Sequence, residues 1–177
     1  IANGGYLVKP YIVDEVNSEK DEFYKKTSPK VIRKIATEEI MTNMKNMLRK
    51  VVTQGTGEYA DIAGWEIAGK TGTAQKYIDG KYSNKKFISN FVGFFPASNP
   101  QILTAIILDE PKMPMHWGGT GAAVAFKRVV KRIINMDDTI KPPLKKDKIL
   151  VSENSKSFKK NIDLKNPVSL SVNILKK

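Results

Sequence analysis

Three strand-like segments joined by gaps too short to hold a helix constrain this chain more than any other feature. They run from about Trp65 to Tyr77, from Phe87 to Phe95 and from Ile102 to Asp109. Asp79-Gly80, a hairpin turn pair, lies between the first two, and Asn99-Pro100, a tight-turn signal, between the last two. A parallel connection needs a crossover of about a dozen residues or more, so these segments are predicted to form an antiparallel meander. Helices flank it. Thr37 reads as an N-cap, with Glu38 and Glu39 in the first turn, Ile40, Met44, Met47, Leu48 and Val51 at helical spacing, and Arg49 and Lys50 in the last turn before Gly55. Beyond a Pro-containing loop, Thr120 is predicted to cap a second helix. Its Phe126, Val129, Val130 and Ile133 form one stripe, while Lys127, Arg128, Lys131 and Arg132 face away as a solvated surface. The fold class that follows is α+β, an antiparallel sheet packed with helices.

Ahead of the first helix, Asn3, Gly4 and Gly5 stand where a helix would end in a left-handed cap, and the chain then turns extended through Tyr11-Ile12-Val13. Asp14 to Pro29 reads as a loop or hairpin, and Lys30 to Ile35 as a short strand. A start in the tail of a helix, with no initiator Met, reads as a piece of something longer. The 177 residues suit about one domain. Two domain assignments follow: 1–135 as a packed portion, and 136–177 as a basic extension with a strand-like end at Val168 to Leu175.

Composition narrows the chemistry. No cysteine and one histidine exclude disulfide scaffolds, zinc fingers, thiol nucleophiles and a triad built on histidine, leaving Ser, Thr, Lys, Asp, Glu and backbone groups. The net charge of +12 invites a nucleic-acid reading. However, residues 141–177 hold ten lysines against three acids, so more than half of the excess lies in the extension, where composition alone reads as a solvated appendage.

Two motifs share one lysine. Gly64-Trp65-Glu66-Ile67-Ala68-Gly69-Lys70-Thr71 matches the phosphate-loop pattern G-x-x-x-x-G-K-[ST], and Ala105 to Glu110 resembles an apolar strand ending in acids that hold magnesium. A nucleotide hydrolase also needs a buried strand before the first glycine and a helix beginning at the lysine. Here Glu58 to Ala63 is too polar for such a strand, while Thr71-Gly72-Thr73 opposes a helix and suits a strand. The other motif, Lys70-Thr71-Gly72-Thr73, is a K-T-G-T strand of the kind found in serine acyltransferases that react with penicillin. Such a strand can offer a lysine cation and two hydroxyls to a cleft. Its glycine lets a ligand approach the backbone, and an amide beyond the glycine can donate to a developing oxyanion.

The surrounding text over roughly residues 1–135 resembles the C-terminal part of the transpeptidase domain of class B penicillin-binding proteins. The match includes Ala2-Asn3-Gly4-Gly5, Gly55-Thr56-Gly57, Ala68 to Gln75, Phe91 to Ala97, Leu108-Asp109-Glu110-Pro111, and Gly118-Gly119-Thr120 leading to Phe126. The resemblance implies that Lys70 makes the cleft electropositive, that Thr71 and Thr73 bind the free carboxylate of a D-Ala-D-Ala stem peptide or a β-lactam, and that the Thr73 amide forms half of an oxyanion hole. Lys70 and Thr73 are thus the expected catalytic positions, and Lys70, Thr71, Gly72 and Thr73 the substrate-binding ones. Asp109 and Glu110 become the end of a sheet strand. No cofactor, metal or nucleic acid is implied.

The implied reaction is peptidoglycan cross-linking through a serine acyl-enzyme. It takes place on the outer face of the cytoplasmic membrane behind an N-terminal anchor outside this sequence, with cell-division or elongation proteins as partners. The family's other two signatures, S-x-x-K and S-x-N, are expected before Lys70 and are not found there. Matching strings at Ser83 to Lys86, Ser152 to Asn154, Ser157 to Lys160 and Ser171 to Asn173 all follow it, in a hairpin loop or the polar tail. The chain alone is therefore expected not to acylate, the nucleophile lying upstream of Ile1 in the same protein, on a separate chain that completes the fold, or nowhere. The alternatives are a non-catalytic penicillin- or partner-binding module and a P-loop-type nucleotide hydrolase.

Overall fold

The computed structural model describes residues 1–18 and 24–143. The predicted terminal strand at 168–175, the serine strings after residue 150 and most of the basic extension lie outside the described residues. The first compact unit is Ile1–Pro143.

The predicted meander forms the central sheet. β5 (Ala68–Ile78), β6 (Lys81–Phe95) and β7 (Ile102–Asp109) pair antiparallel in the order β5-β6-β7. Asp79 and Gly80 both take positive φ, +50° and +78°, the pair of left-handed residues that lets a two-residue turn follow the twist of its strands. β5 begins at Ala68 rather than Trp65. Glu66, at φ +45°, turns the chain there, its carbonyl accepting from the Ala97 amide and its carboxylate from the Ser98 amide.

Before this sheet, β1 (Tyr6–Lys9) pairs with β4 (Lys30–Lys34), and β2 (Glu15–Asn17) with β3 (Tyr24–Lys26). The extended segment thus precedes Pro10, which has no amide hydrogen to continue a ladder, and Tyr11 to Val13 are exposed and outside any strand.

α1 (Glu38–Gln54) starts where Thr37 Oγ1 accepts from the Ile40 amide. Its inner face is rotated from the predicted one. Met41 and Val52 are buried, whereas Ile40 and Met47 are exposed, because Met41 packs beneath Gly5 and Val52 beneath the sheet. The helix ends at Gly55 as predicted, but Arg49 and Lys50 lie ahead of its last turn, so Arg49 is not terminal. It instead donates to Asp61 Oδ1 and to the Ile67 carbonyl, both at 2.7 Å, and fixes the helix to the approach to β5. A 3₁₀ turn at Glu58–Ala60 lies between them.

α2 (Ala122–Met136) is capped at Gly121, not Thr120, whose hydroxyl donates to the Pro114 carbonyl. Phe126 and Val130 are buried and Ile133 is half-buried, while Val129 is exposed and the small Ala122 and Ala123 are fully buried. After α2, Ile140 returns to the core and the Gln101 side chain holds both backbone groups of Lys141. No helix among the described residues is long and apolar enough to cross a membrane.

The core centres on Phe91, Phe95, Phe126, Val130, Val52 and Ile67. The Phe91 ring meets Phe126 edge-on at 4.7 Å. The far end of the sheet is tied by charge. Lys76 Nζ lies 2.8 Å from Glu110 Oε1 and 3.0 Å from Asp109 Oδ1, and Lys86 Nζ lies 3.3 Å from Glu110 Oε2.

Hydrogen bonds from Lys76 and Lys86 hold the Glu110 carboxyl below its ordinary 4.5. Those from Lys76 to Glu110 and Asp109 raise the lysine above 10.5. The Glu110 contribution is therefore complete above its unfolded value and lost as pH falls through the lower, folded one. The Lys76 contribution is complete below 10.5 and lost as pH rises past the raised value. Thermal melts of wild type and Glu110→Gln are expected to differ slightly between about pH 5 and 10 and to converge in acid. A gap that persists at about pH 2 would remove this cluster from the stability of the sheet.

Candidate functional site

β5 lies at the edge of its sheet, paired with β6 on one side and with no strand on the other among the described residues. An edge strand keeps every second backbone amide and carbonyl available for a ligand laid along it. Lys70, Thr71, Gly72 and Thr73 occupy this strand opposite Val92, Phe91, Asn90 and Ser89 of β6. Thr71 and Thr73 therefore share the face of Phe91 and Ser89, and Lys70 alternates to the other face.

Lys70 is exposed and curls along the open edge. Its Nζ donates to the Thr71 carbonyl at 2.9 Å and to Thr71 Oγ1 at 3.4 Å, and it makes no ion pair among the described residues. The Thr71 hydroxyl lies 2.8 Å from that of Thr56, in the loop after α1. Thr73 Oγ1 accepts from the Gly118 amide at 2.9 Å. Gly72 lies under the Asn90 side chain, which a Cβ would strike, so no other residue fits there without displacing Asn90. On the opposite face Gly118 rests directly on the Gly72 backbone.

The structure thus brings all four predicted residues together on one edge and adds Thr56, Asn90 and Gly118 as their supports. Sequence reasoning placed Thr56 and Gly118 only inside longer matching strings. Their roles arise from contacts 15 and 45 residues away in sequence, and one of those contacts is made by a backbone amide that has no side-chain signature. Buried His116 contacts Phe87 and the half-exposed Trp117 with tilted rings, centroids 5.1 and 4.7 Å away.

The phosphate-loop alternative does not form. Lys70 is the third residue of a strand in an antiparallel sheet rather than the start of a helix, and the bulky Trp65 and Ile67 pack toward the core. Asp109 and Glu110, its supposed magnesium acids, are paired with Lys76 and Lys86. Ser83, the first residue of the one S-x-x-K string among the described residues, accepts from the Lys85 and Lys86 amides next to the hairpin turn.

A family model for the penicillin binding protein transpeptidase domain matches residues 1–131. The chain belongs to this transpeptidase family. Stage V sporulation protein D of Bacillus subtilis is 38% identical over 130 residues, covering 73% of this chain and 20% of the relative. Peptidoglycan D,D-transpeptidase FtsI of Buchnera aphidicola is 40% identical over 112 residues, 62% of this chain and 19% of the relative.

Among solved structures, the D,D-transpeptidase domain of a peptidoglycan glycosyltransferase from Eggerthella lenta superposes with a TM-score of 0.66 at 30% identity, over 78% of this chain and 30% of that one. Penicillin binding protein 3 of Mycobacterium tuberculosis gives 0.68 at 28% identity, over 80% and 34%, and has also been solved with aztreonam and with ampicillin. The chain spans about a fifth of the curated transpeptidases it matches and about a third of the solved ones. It is part of a transpeptidase domain with the α+β fold read from its sequence.

Proposed function

We propose that this chain supplies the substrate-carboxylate and oxyanion strand of a serine-type peptidoglycan D,D-transpeptidase. The observation that carries this reading is the open edge of β5, where one unpaired lysine and two oriented threonine hydroxyls stand on either side of a glycine. Lys70 makes the edge electropositive. Thr71 and Thr73 receive the C-terminal carboxylate of a D-Ala-D-Ala stem peptide through charge-assisted hydrogen bonds. A serine hydroxyl from outside these residues adds to the carbonyl carbon of the penultimate D-Ala, and the Thr73 amide donates to the oxygen that takes up the charge. The peptide C–N bond then breaks, D-Ala leaves with a proton on its nitrogen, and a serine ester remains. The amine of a neighbouring stem peptide attacks that ester, forms the cross-link and returns the proton to the serine. A β-lactam enters the same way, but its opened ring stays attached.

The names of the relatives and the antibiotic complexes of a neighbour support this assignment. The work belongs on the outer face of the cytoplasmic membrane, behind an N-terminal anchor and alongside cell-division or elongation proteins. Residues 136–177 are the basic extension of the catalytic portion.

Labelling with a fluorescent penicillin tests the reading. The whole transpeptidase is expected to take one label per molecule. The Thr73→Val variant should be labelled about tenfold or more slowly, and the 177-residue chain alone should take no covalent label. Wild-type labelling rates in Thr73→Val would overturn the site assignment. Reversible penicillin binding without a covalent product in the whole protein would instead make it a non-catalytic binding module.

A further inference from the structure

The segment from Lys112 to Gly121, between β7 and α2, folds back across the substrate strand and is closed on itself. Met115 donates its amide to the Lys112 carbonyl, Gly121 to Trp117, and Ala123 to Gly118, while the Thr120 hydroxyl donates to Pro114. His116, 6% exposed, anchors it between the Phe87 and Trp117 rings. The strap touches β5 at Gly118. A Cβ there would lie 2.6 Å from the Gly72 carbonyl oxygen and 2.8 Å from that of Asn90, so only glycine brings the backbone this close. The next residue, Gly119, is as tightly placed against the Thr56 carbonyl, on the loop that holds Thr71.

That approach delivers the Gly118 N–H to Thr73 Oγ1 at 2.9 Å. A hydroxyl has one proton to give and two lone pairs. With a lone pair taken by Gly118, Thr73 has its proton free and directed away from the strap. We propose that the Gly118 amide is the positioning group that commits the Thr73 hydroxyl to donating, and thereby tunes the site for a carboxylate over an uncharged end. This rests on the assignment of Thr73 as a carboxylate ligand. Without the strap the hydroxyl could turn its proton onto a neighbouring carbonyl and present only lone pairs, which repel an anion. With it, the side chain is fixed before substrate arrives, and less ordering is needed on binding.

The test compares acylation of the whole transpeptidase by penicillin and by penicillin methyl ester, which lacks the negative charge, in wild type, Gly118→Ala, Thr73→Val and the double variant. Gly118→Ala is expected to lower the acid-to-ester rate ratio about tenfold, and to lower it no further when Thr73 is already Val. Equal losses on acid and ester in both backgrounds would reduce Gly118 to packing and overturn the proposal. If Thr73→Val leaves the ratio unchanged, the carboxylate assignment itself fails. If Thr73→Val lowers the ratio and Gly118→Ala does not, only the strap proposal fails. Hydrogen exchange decides the matter if Gly118→Ala does not fold. The Gly118 amide is expected to exchange about tenfold or more faster in Thr73→Val than in wild type, and unchanged protection would show that the bond does not exist in solution.

Discussion

Replacing Lys70 with alanine is expected to lower the rate of penicillin acylation by about 10²- to 10³-fold in the whole transpeptidase. The ammonium group spends two of its three hydrogens on Thr71, one on the carbonyl and one on the hydroxyl, and is left with a donor facing the open edge of β5. No carboxylate among the described residues pairs with it, so its charge is available to an anionic ligand. Two effects are lost together in Lys70→Ala: the attraction that draws a carboxylate to the strand, and the hydrogen bond to Thr71 Oγ1, the hydroxyl that also pairs with Thr56. Lys70→Arg keeps the charge but carries a planar fork in place of a compact ammonium, and is expected to recover only part of the rate. Stopped-flow acylation at two salt concentrations separates the effects, because screening weakens the long-range attraction and leaves the hydroxyl geometry untouched. Acylation of Lys70→Ala within a factor of about three of wild type would remove the lysine from the chemistry.

How much of this was legible in the sequence depends on the kind of contact. The meander was, because its two connections are too short for a parallel crossover and Asp79-Gly80 takes the left-handed turn its residue types favour. The choice between two readings of Lys70 was also legible, since β-branched residues after the lysine cannot begin a helix readily. The inner face of α1 was not. Met41 is chosen over Ile40 by a close approach to Gly5, which lies in another part of the sequence and whose effect no periodicity records. The cap of α2 was misplaced for a related reason: amides at its start are taken by backbone carbonyls of the preceding loop, Gly121 by Trp117 and Ala123 by Gly118, and no side chain caps it. At the site, the chemical groups were readable and their orientation was not. Orientation comes from Thr56 and from the Gly118 amide, which reach β5 only after the chain has folded.

Phe91→Ala should destabilise the protein by about 3–5 kcal/mol, the range for truncating a fully buried phenylalanine, and it tests how the site is held rather than what it binds. The Phe91 ring is fully buried, meets Phe126 edge-on, and fills a space that three glycines leave open. A Cβ on Gly69 or on Gly93 would lie 2.7 Å from it, and one on Gly57 would lie 3.2 Å from it. These glycines stand on β5, on β6 and in the loop that carries Thr56, so a single ring sets the spacing of every element that orients Thr71. Phe91→Leu restores most of the volume without the edge-on contact and should cost less, about 1–2 kcal/mol. The expected signature in chemical denaturation is a lower midpoint with an unchanged slope, since the surface exposed on unfolding hardly changes. A midpoint shift in Phe91→Ala no larger than that of Phe91→Leu would mean that the neighbouring backbone collapses into the space. In that case Gly69 and Gly93 serve the close backbone approach of β5 to β6 rather than the ring.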